Sequence, residues 1–258
     1  DSVSRERPGP NEQSEPVSTE LPESLTFPRA AYEHCLTEDQ QTVLSEMEVL
    51  TGPENGVVLE ANRGRGKSSV AGLAAASLVA SGLDVLVTGP QYRSVATLFE
   101  QAQDLLSVLD IAVKRDAERP PQRLETTAGE LRYRPPQDAR TLAEDTDCVI
   151  VDEAAALPVE TLADTLAAPR VAYVTTTHGY EGTGRGFTVR FRESLDESTH
   201  DITDLHLSTP IRYAGGDPVE VWGFRALALA ARPPVDDVVA GATPQSVEYR
   251  KLSSQQLL

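Results

Sequence analysis

Lysine is almost absent from this chain. Lys67, Lys114 and Lys251 are the only three in 258 residues, set against 40 Asp plus Glu and a formal net charge of −17. No basic stretch of the kind that marks a nucleic-acid footprint stands out, so charge alone announces no RNA or DNA partner. Acid excess with lysine depletion fits instead a surface adapted to high salt, where molar ions screen self-repulsion to within about 3 Å. For that reason the acidity does not exclude an RNA partner either. Cysteine is scarce as well. Cys35 and Cys148 stand far apart, the second inside the apolar run "DCVIV". That excludes a disulfide or cysteine–metal framework and points to buried thiols in a reducing cytoplasm. Also missing is any run near the roughly 18 uninterrupted apolar residues of a membrane helix. The polar opening "DSVSRERPGPNEQSEPVSTE" lacks the pattern of a signal peptide. Hydrophobic residues make up 40% of the chain, enough for a sizeable core, and the length suits one large domain or one domain plus appendages.

What is present has an order. Residues 1–27 carry four prolines with many Ser and Glu, and read as a disordered linker. In "CLTEDQQTVLSEMEVLTG" the apolar residues Leu36, Val43, Leu44, Met47 and Leu50 recur at helical spacing behind Thr37 as N-cap, until Gly52-Pro53 ends the helix. Strand and helix signals then alternate: strand 56–61, helix 67–81 closed by Gly82, strand 84–88, helix 94–109. A hairpin is expected around Gly129 in "RLETTAGELRYRPP". Strands follow at "DCVIVDEA" and "RVAYVTTT", with a helix opened by Pro158 between them and a last helix at "DPVEVWGFRALALA". Short apolar strands alternating with helices predict an α/β fold with a mostly parallel sheet flanked by helices on both sides. The expected organisation is a domain over 28–232, with 233–258 as a linker toward a further C-terminal domain.

The chemistry-bearing strings sit at strand ends. "ANRGRGKSS" follows the first strand and opens a helix, the context of a phosphate-binding loop, although Ala61 stands where the G-x-x-x-x-G-K-[ST] pattern has its first glycine. Backbone N–H groups of Gly64, Gly66 and the helix start would surround phosphate oxygens. Lys67 would neutralise the β- and γ-phosphates, and Ser68 would offer a hydroxyl to Mg²⁺. The bland alternative is a glycine-rich turn with a surface lysine. "CVIVDEAAALP" puts Asp152 and Glu153 at the C-terminal end of a buried strand, where ligands of open α/β sheets bind. Asp152 suits the Mg²⁺ shell and Glu153 the polarising of an attacking water. The competing role for this pair is capping the next helix, which would not require an upstream Lys loop. Both motifs in order favour NTP hydrolysis.

"TTTHGYEGTGRGF" runs from a strand into a loop with four glycines. Thr177 and His178 are placed to sense a γ-phosphate, and Arg185 to contact phosphate or RNA backbone. Tyr180 and Phe187 offer stacking faces, though such rings are more often packed. Gln40, about twenty residues before the loop, is open to two readings: a glutamine on the adenine edge, or the far half of a Thr37-x-x-Gln40 capping box. Gln41 is a weaker alternative for the adenine role. In "STPIRYAGGDPVE", Arg212 is either a trigger arginine for the transferring phosphoryl or half of an ion pair with Asp217 or Glu220.

Taken in this order, "ANRGRGKS", "VDEAAALP", "TTTHGYEGTGRGF" and "PIRYAGGDPVE" resemble the helicase-like ATPase module of the RNA cytidine acetyltransferases, the tRNA(Met) type included. The third string is the most diagnostic, since ordinary helicases lack it, and the match runs over about residues 36–230. The resemblance implies a RecA-like, RecD helicase-type P-loop NTPase fold and ATP hydrolysis coupled to N4-acetylation of a tRNA wobble cytidine, with acetyl-CoA as donor. It carries ATP contacts onto Gln40, onto Asn62, Arg63, Gly64, Arg65, Gly66, Lys67 and Ser68 with Ser69 beside them, and onto Arg212, while the strand-end loop adds Thr177 and Arg185. Metal ligation falls on Ser68 and Asp152, and catalysis on Lys67, Asp152, Glu153 and Arg212. Family members continue into an acetyltransferase domain with an acetyl-CoA loop, and this chain shows none. The expectation is therefore a cytoplasmic Mg²⁺-ATPase module partnered by tRNA and by the acetyltransferase domain of the same full-length protein, with no DNA or membrane partner. A stand-alone RecD-like helicase or translocase is the alternative, and it wants a second RecA domain that the length scarcely allows. A non-hydrolysing ATP switch is a third class, disfavoured by the presence of Glu153.

Overall fold

Strands that are apolar at consecutive positions must be covered on both faces, and the sheet is built that way. The structure, a computed structural model, describes residues 24–116, 118, 121–176 and 191–211. The chain divides into compact units 1–214 and 215–258, and every described residue lies in the first. Two short helices, α1 (Arg29–Glu33) and α2 (Glu38–Glu46), lead through a tight 3₁₀ turn at Met47–Thr51 into β1 (Asn55–Ala61). Then come α3 (Lys67–Ala80), β2 (Val85–Thr88), α4 (Tyr92–Val108), β3 (Lys114–Arg115), β4 (Arg123–Glu125), β5 (Glu130–Tyr133) and α5 (Pro136–Leu142). The described chain finishes with β6 (Cys148–Asp152), α6 (Val159–Thr165), β7 (Arg170–Thr176), α7 (Arg192–Asp196) and β8 (Asp201–Leu207).

One sheet runs β3-β4-β5-β2-β6-β7-β1-β8. It is parallel from β5 through β8 and antiparallel only where β4 joins β3 and β5. The expected α/β fold with a mostly parallel sheet is thus the one observed, and the hairpin around Gly129 is its antiparallel edge. The period-2 alternation of side chains explains the continuous apolar runs. Val57, Leu59 and Ala61 of β1, Cys148 and Ile150 of β6, and Ala172 and Val174 of β7 join one core with α1–α4. Their neighbours Val58, Val149, Val151, Val171 and Tyr173 join a second core with α5, α6 and Phe191. Phe27, at the end of the segment read as a linker, is buried in the first core. The backbone N–H groups of Thr26 and Phe27 donate to Glu48 Oε1 at 2.8 and 2.9 Å. The helix expected at 217–230 lies outside the described residues. No helix among the described residues is long and apolar enough to cross a membrane.

α3 is buried along almost its whole length, which its small residues permit. A Cβ placed on Gly72 would lie 2.4 Å from the Leu98 carbonyl oxygen of α4 and 2.9 Å from Gln101 Cβ. Gly72→Ala gains about 1 kcal/mol of helix propensity but overpacks against backbone that no rotamer can clear, at about 1–3 kcal/mol or more. Overpacking wins, and a thermal melt should show the variant unfolding several degrees below wild type. An unchanged or higher midpoint would mean that the two helices are not in such close approach.

Candidate active site

The site is assembled at the C-terminal edge of the sheet, the edge that binds ligands in open α/β folds. Ala61 ends β1 in register with Thr176 of β7 and Leu207 of β8. It is an ordinary extended strand residue, so the missing first glycine costs the loop nothing. Glycine is required later. Gly64 and Gly66 have φ of +80° and +83°, a region side chains rarely enter. A Cβ on Gly66 would also stand 2.1 Å from Gln40 Nε2.

Gly66 is the N-cap of α3 and supplies no side chain to the first helical N–H groups. Those donors face outward at the positive end of the helix dipole, a ready anion site. Residues of this loop and helix start line a cavity of about 300 Å³ together with Glu153 and Ile211. Lys67, the first residue of α3, is 7% exposed. Burial pushes its ammonium pKa down, while the carboxylates of Glu153 and Asp152 pull the other way.

Asp152 ends β6, one strand removed from β1, and is 0% exposed. Its Oδ1 accepts the Glu153 N–H at 2.9 Å, and its buried Oδ2 has no hydrogen-bond partner among the described residues. Burial raises its pKa to about 6, helped by the charge of Glu153 and opposed by the Ser68 hydroxyl, the Glu153 N–H and Lys67. Glu153 adopts a left-handed φ of +54° and precedes the 3₁₀ turn Ala154–Ala156 without capping it. Its side chain lines the phosphate-loop cavity instead, with the Thr176 hydroxyl 3.5 Å from its Oε2. A non-glycine residue held at positive φ marks strain that the surroundings must support, as is common at functional sites.

The fold therefore brings Arg63, Gly64, Gly66, Lys67, Ser68, Ser69 and Glu153 around one cavity, with Asp152 buried and near enough for its charge to act on Lys67. Asn62 and Arg65, on the same loop, are not among the lining residues. Gln40 is buried at 1% exposure. Its Oε1 accepts the Leu36 N–H at 2.8 Å and its Nε2 donates to the Arg65 carbonyl at 3.4 Å. Thr37 Oγ1 accepts the Gln40 N–H at 3.4 Å, the Thr half of the alternative capping-box reading. Gln41 is engaged elsewhere, donating to the Tyr32 carbonyl at 3.1 Å. Thr177, His178, Tyr180, Arg185, Phe187 and Arg212 lie outside the described residues.

Four lining residues were not foreseen: Arg93, Ser94 and Thr97, from the first turns of α4, and Ile211, beyond the end of β8. For the three on α4 the available signal was positional, because a helix that follows a parallel strand starts on the ligand-binding edge. Among the described residues no cluster of three His, Cys, Asp or Glu side chains could hold a metal ion.

Against known proteins, the family model for "RNA cytidine acetyltransferase NAT10/TcmA, helicase domain" matches residues 58–230. The chain is 53% identical over 247 residues to a tRNA(Met) cytidine acetyltransferase TmcA of Haloarcula marismortui, covering 95% of this chain and 32% of that one. It is 54% identical over 242 residues to the protein of that name from Haloferax volcanii, covering 90% and 30%. This chain thus spans about a third of the length of those relatives. Among solved structures, the large terminase of the thermophilic bacteriophage D6E superposes with a TM-score of 0.54 at 15% identity, over 74% of this chain and 50% of that one. That likeness is one of fold.

Proposed function

Because the chain belongs to the helicase-domain family of the RNA cytidine acetyltransferases, we propose that it is the Mg²⁺-dependent ATPase module of a tRNA(Met) cytidine acetyltransferase. Its ATP hydrolysis would be coupled to N4-acetylation of a tRNA cytidine by an acetyltransferase domain of the same full-length protein, which is also where acetyl-CoA would bind. The observation that carries this is the meeting of Lys67 and Glu153 on one cavity at the N-terminus of α3, with Asp152 buried beside them.

In this reading the N–H groups of the loop and of α3 hold the phosphates, and Lys67 neutralises them as charge builds in transfer. Glu153, which lines the cavity, orients the attacking water and draws on its proton. Ser68 and Asp152 form an all-oxygen pair suited to Mg²⁺, which takes one or two protein oxygens and completes its shell with phosphate and water. Oδ2 of Asp152, which has no hydrogen-bond partner among the described residues, fits that role. Held by Ser68 and Asp152, the ion would supply positive charge against the negative charge that builds up in phosphoryl transfer. Arg212 and Arg185 are proposed to add positive charge, and Gln40 to read adenine by exchanging one of its present partners. Scarcity of lysine beside acid excess supports a cytoplasm of high salt as the working medium.

The test is ATP turnover by the 258-residue chain in molar salt, alone, with elongator tRNA(Met), and with single-stranded DNA. Stimulation by tRNA alone supports the proposal. Equal stimulation by DNA favours a general translocase, and absence of turnover in all three sinks the ATPase reading.

A further inference from the structure

A phosphate loop that turns its N–H groups inward must turn carbonyls outward, and those carbonyls need partners of their own. Here two are met from outside the loop. The Gly64 carbonyl accepts the Ile211 N–H at 3.1 Å, and the Arg65 carbonyl accepts Gln40 Nε2 at 3.4 Å. Ile211 also lines the cavity, and its Cδ1 lies 3.2 Å from where a Gly66 Cβ would sit. Residues 208–211 leave the end of β8 and are tied at one further point. Asp39 Oδ2 accepts the backbone N–H groups of Ser208 and Thr209 at 2.9 and 2.8 Å, across 169 and 170 residues of sequence. The other oxygen of Asp39 accepts the Thr37 hydroxyl at 2.5 Å. Consecutive residues of one helical turn, Asp39 and Gln40, thus grip the loop from two sides, Gln40 directly and Asp39 through the 208–211 segment.

We propose that Asp39 is a positioning residue for the nucleotide: by holding residues 208–209 it sets Ile211 against Gly64 and so keeps the phosphate loop in its binding shape. The proposal rests on the nucleotide site proposed above. An acid near a helix N-terminus also favours the helix dipole on its own, and that bland role differs from positioning in what it needs. The dipole needs the charge, whereas positioning needs an acceptor aimed at two N–H groups. Asparagine keeps such an acceptor, and its Nδ2 can donate to the Thr37 hydroxyl, so Asp39→Asn separates the two.

The experiment measures ADP affinity with Mg²⁺, by calorimetry in molar salt, for wild type, Asp39→Ala, Asp39→Asn and Glu48→Ala. Glu48 likewise holds two backbone N–H groups, but those of Thr26 and Phe27, and it does not line the cavity. At metal sites, loss of an outer partner of a ligating group typically costs roughly 10–100-fold in affinity; on that scale Asp39→Ala should bind ADP about tenfold more weakly. Asp39→Asn should stay within about threefold of wild type, and Glu48→Ala should bind as wild type does whatever its melting temperature. An Asp39→Ala chain that binds ADP normally, or an equal loss in Glu48→Ala, would overturn the proposal, as would failure of Asn to rescue. Wild type that binds no ADP would overturn the site itself and this inference with it. If Asp39→Ala does not fold, Ser208→Pro removes one of the two donors from outside the cavity. At least a threefold loss there supports the proposal and unchanged affinity overturns it.

Discussion

Lys67→Ala is expected to lower ATP turnover by roughly a hundredfold or more, the scale seen when a preorganised charge-stabilising donor is removed from a closed site. Lys67 is the cation at the first residue of α3, buried, lining the cavity and within the field of Asp152 and Glu153. A buried ammonium is costly to hold without opposite charge beside it. The fold tolerates it because two carboxylates offset the loss of water, and phosphate oxygens would complete the compensation. Alanine removes the cost together with the function, so the variant should melt close to wild type while phosphate release falls away. Turnover retained within about threefold would remove Lys67 from the site.

Asp152→Asn is expected to make the protein inactive and, without nucleotide and in a chelator, more heat-stable than wild type near neutral pH. The reason is the direction in which the fold moves this carboxyl, from 3.8 up to about 6, chiefly through burial. A carboxyl with a raised folded pKa contributes its full stability below the unfolded value, where both states are protonated. That contribution is lost as pH rises through the folded value, because the folded state must then ionise a group shut away from water. For a shift of this size the loss between about pH 4 and 6 amounts to up to about 3 kcal/mol. Asparagine never ionises and escapes it. Melts at pH 7.5 and pH 4, in EDTA, should show the variant ahead at the higher pH and the difference closing at the lower. A constant difference at both would show that ionisation of Asp152 is not what separates them. Mg²⁺ with nucleotide should shrink the wild-type deficit, since an ion bound only by the folded state stabilises it.

Much of the central sheet could be read directly. β1, β2, β6 and β7 are runs buried on both faces and so apolar at nearly every position. α4 showed its helical spacing in Val95, Leu98, Phe99, Ala102, Leu105 and Leu106, all buried, and begins two residues ahead of the expected start. β8 escaped because it is an edge strand with only Leu205 and Leu207 buried. Its sequence "DITDLHL" carries charge and no continuous apolar run. α5 and α7, of seven and five residues, are too short for periodicity to declare them.

The division at the site follows the same physics. Gly64, Gly66 and Lys67 sit next to each other in the chain, and Asp152-Glu153 is adjacent too, so each motif's chemistry is local and visible in the sequence. Strand order is not local. Only the folded sheet sets β7 between β6 and β1, brings Glu153 onto the cavity of a loop some 90 residues earlier, and adds Arg93 from the next helix. Gln40 and Asp39 make the point most sharply. In sequence both belong to the first turn of an ordinary capped helix. Their other partners, the Arg65 carbonyl and the N–H groups of Ser208 and Thr209, come from elsewhere in the chain. Local propensity made α2 a helix, and the tertiary structure made its first turn a brace for the phosphate loop. A buried carbonyl or N–H takes whichever partner the packing brings within reach, and that choice is made in space.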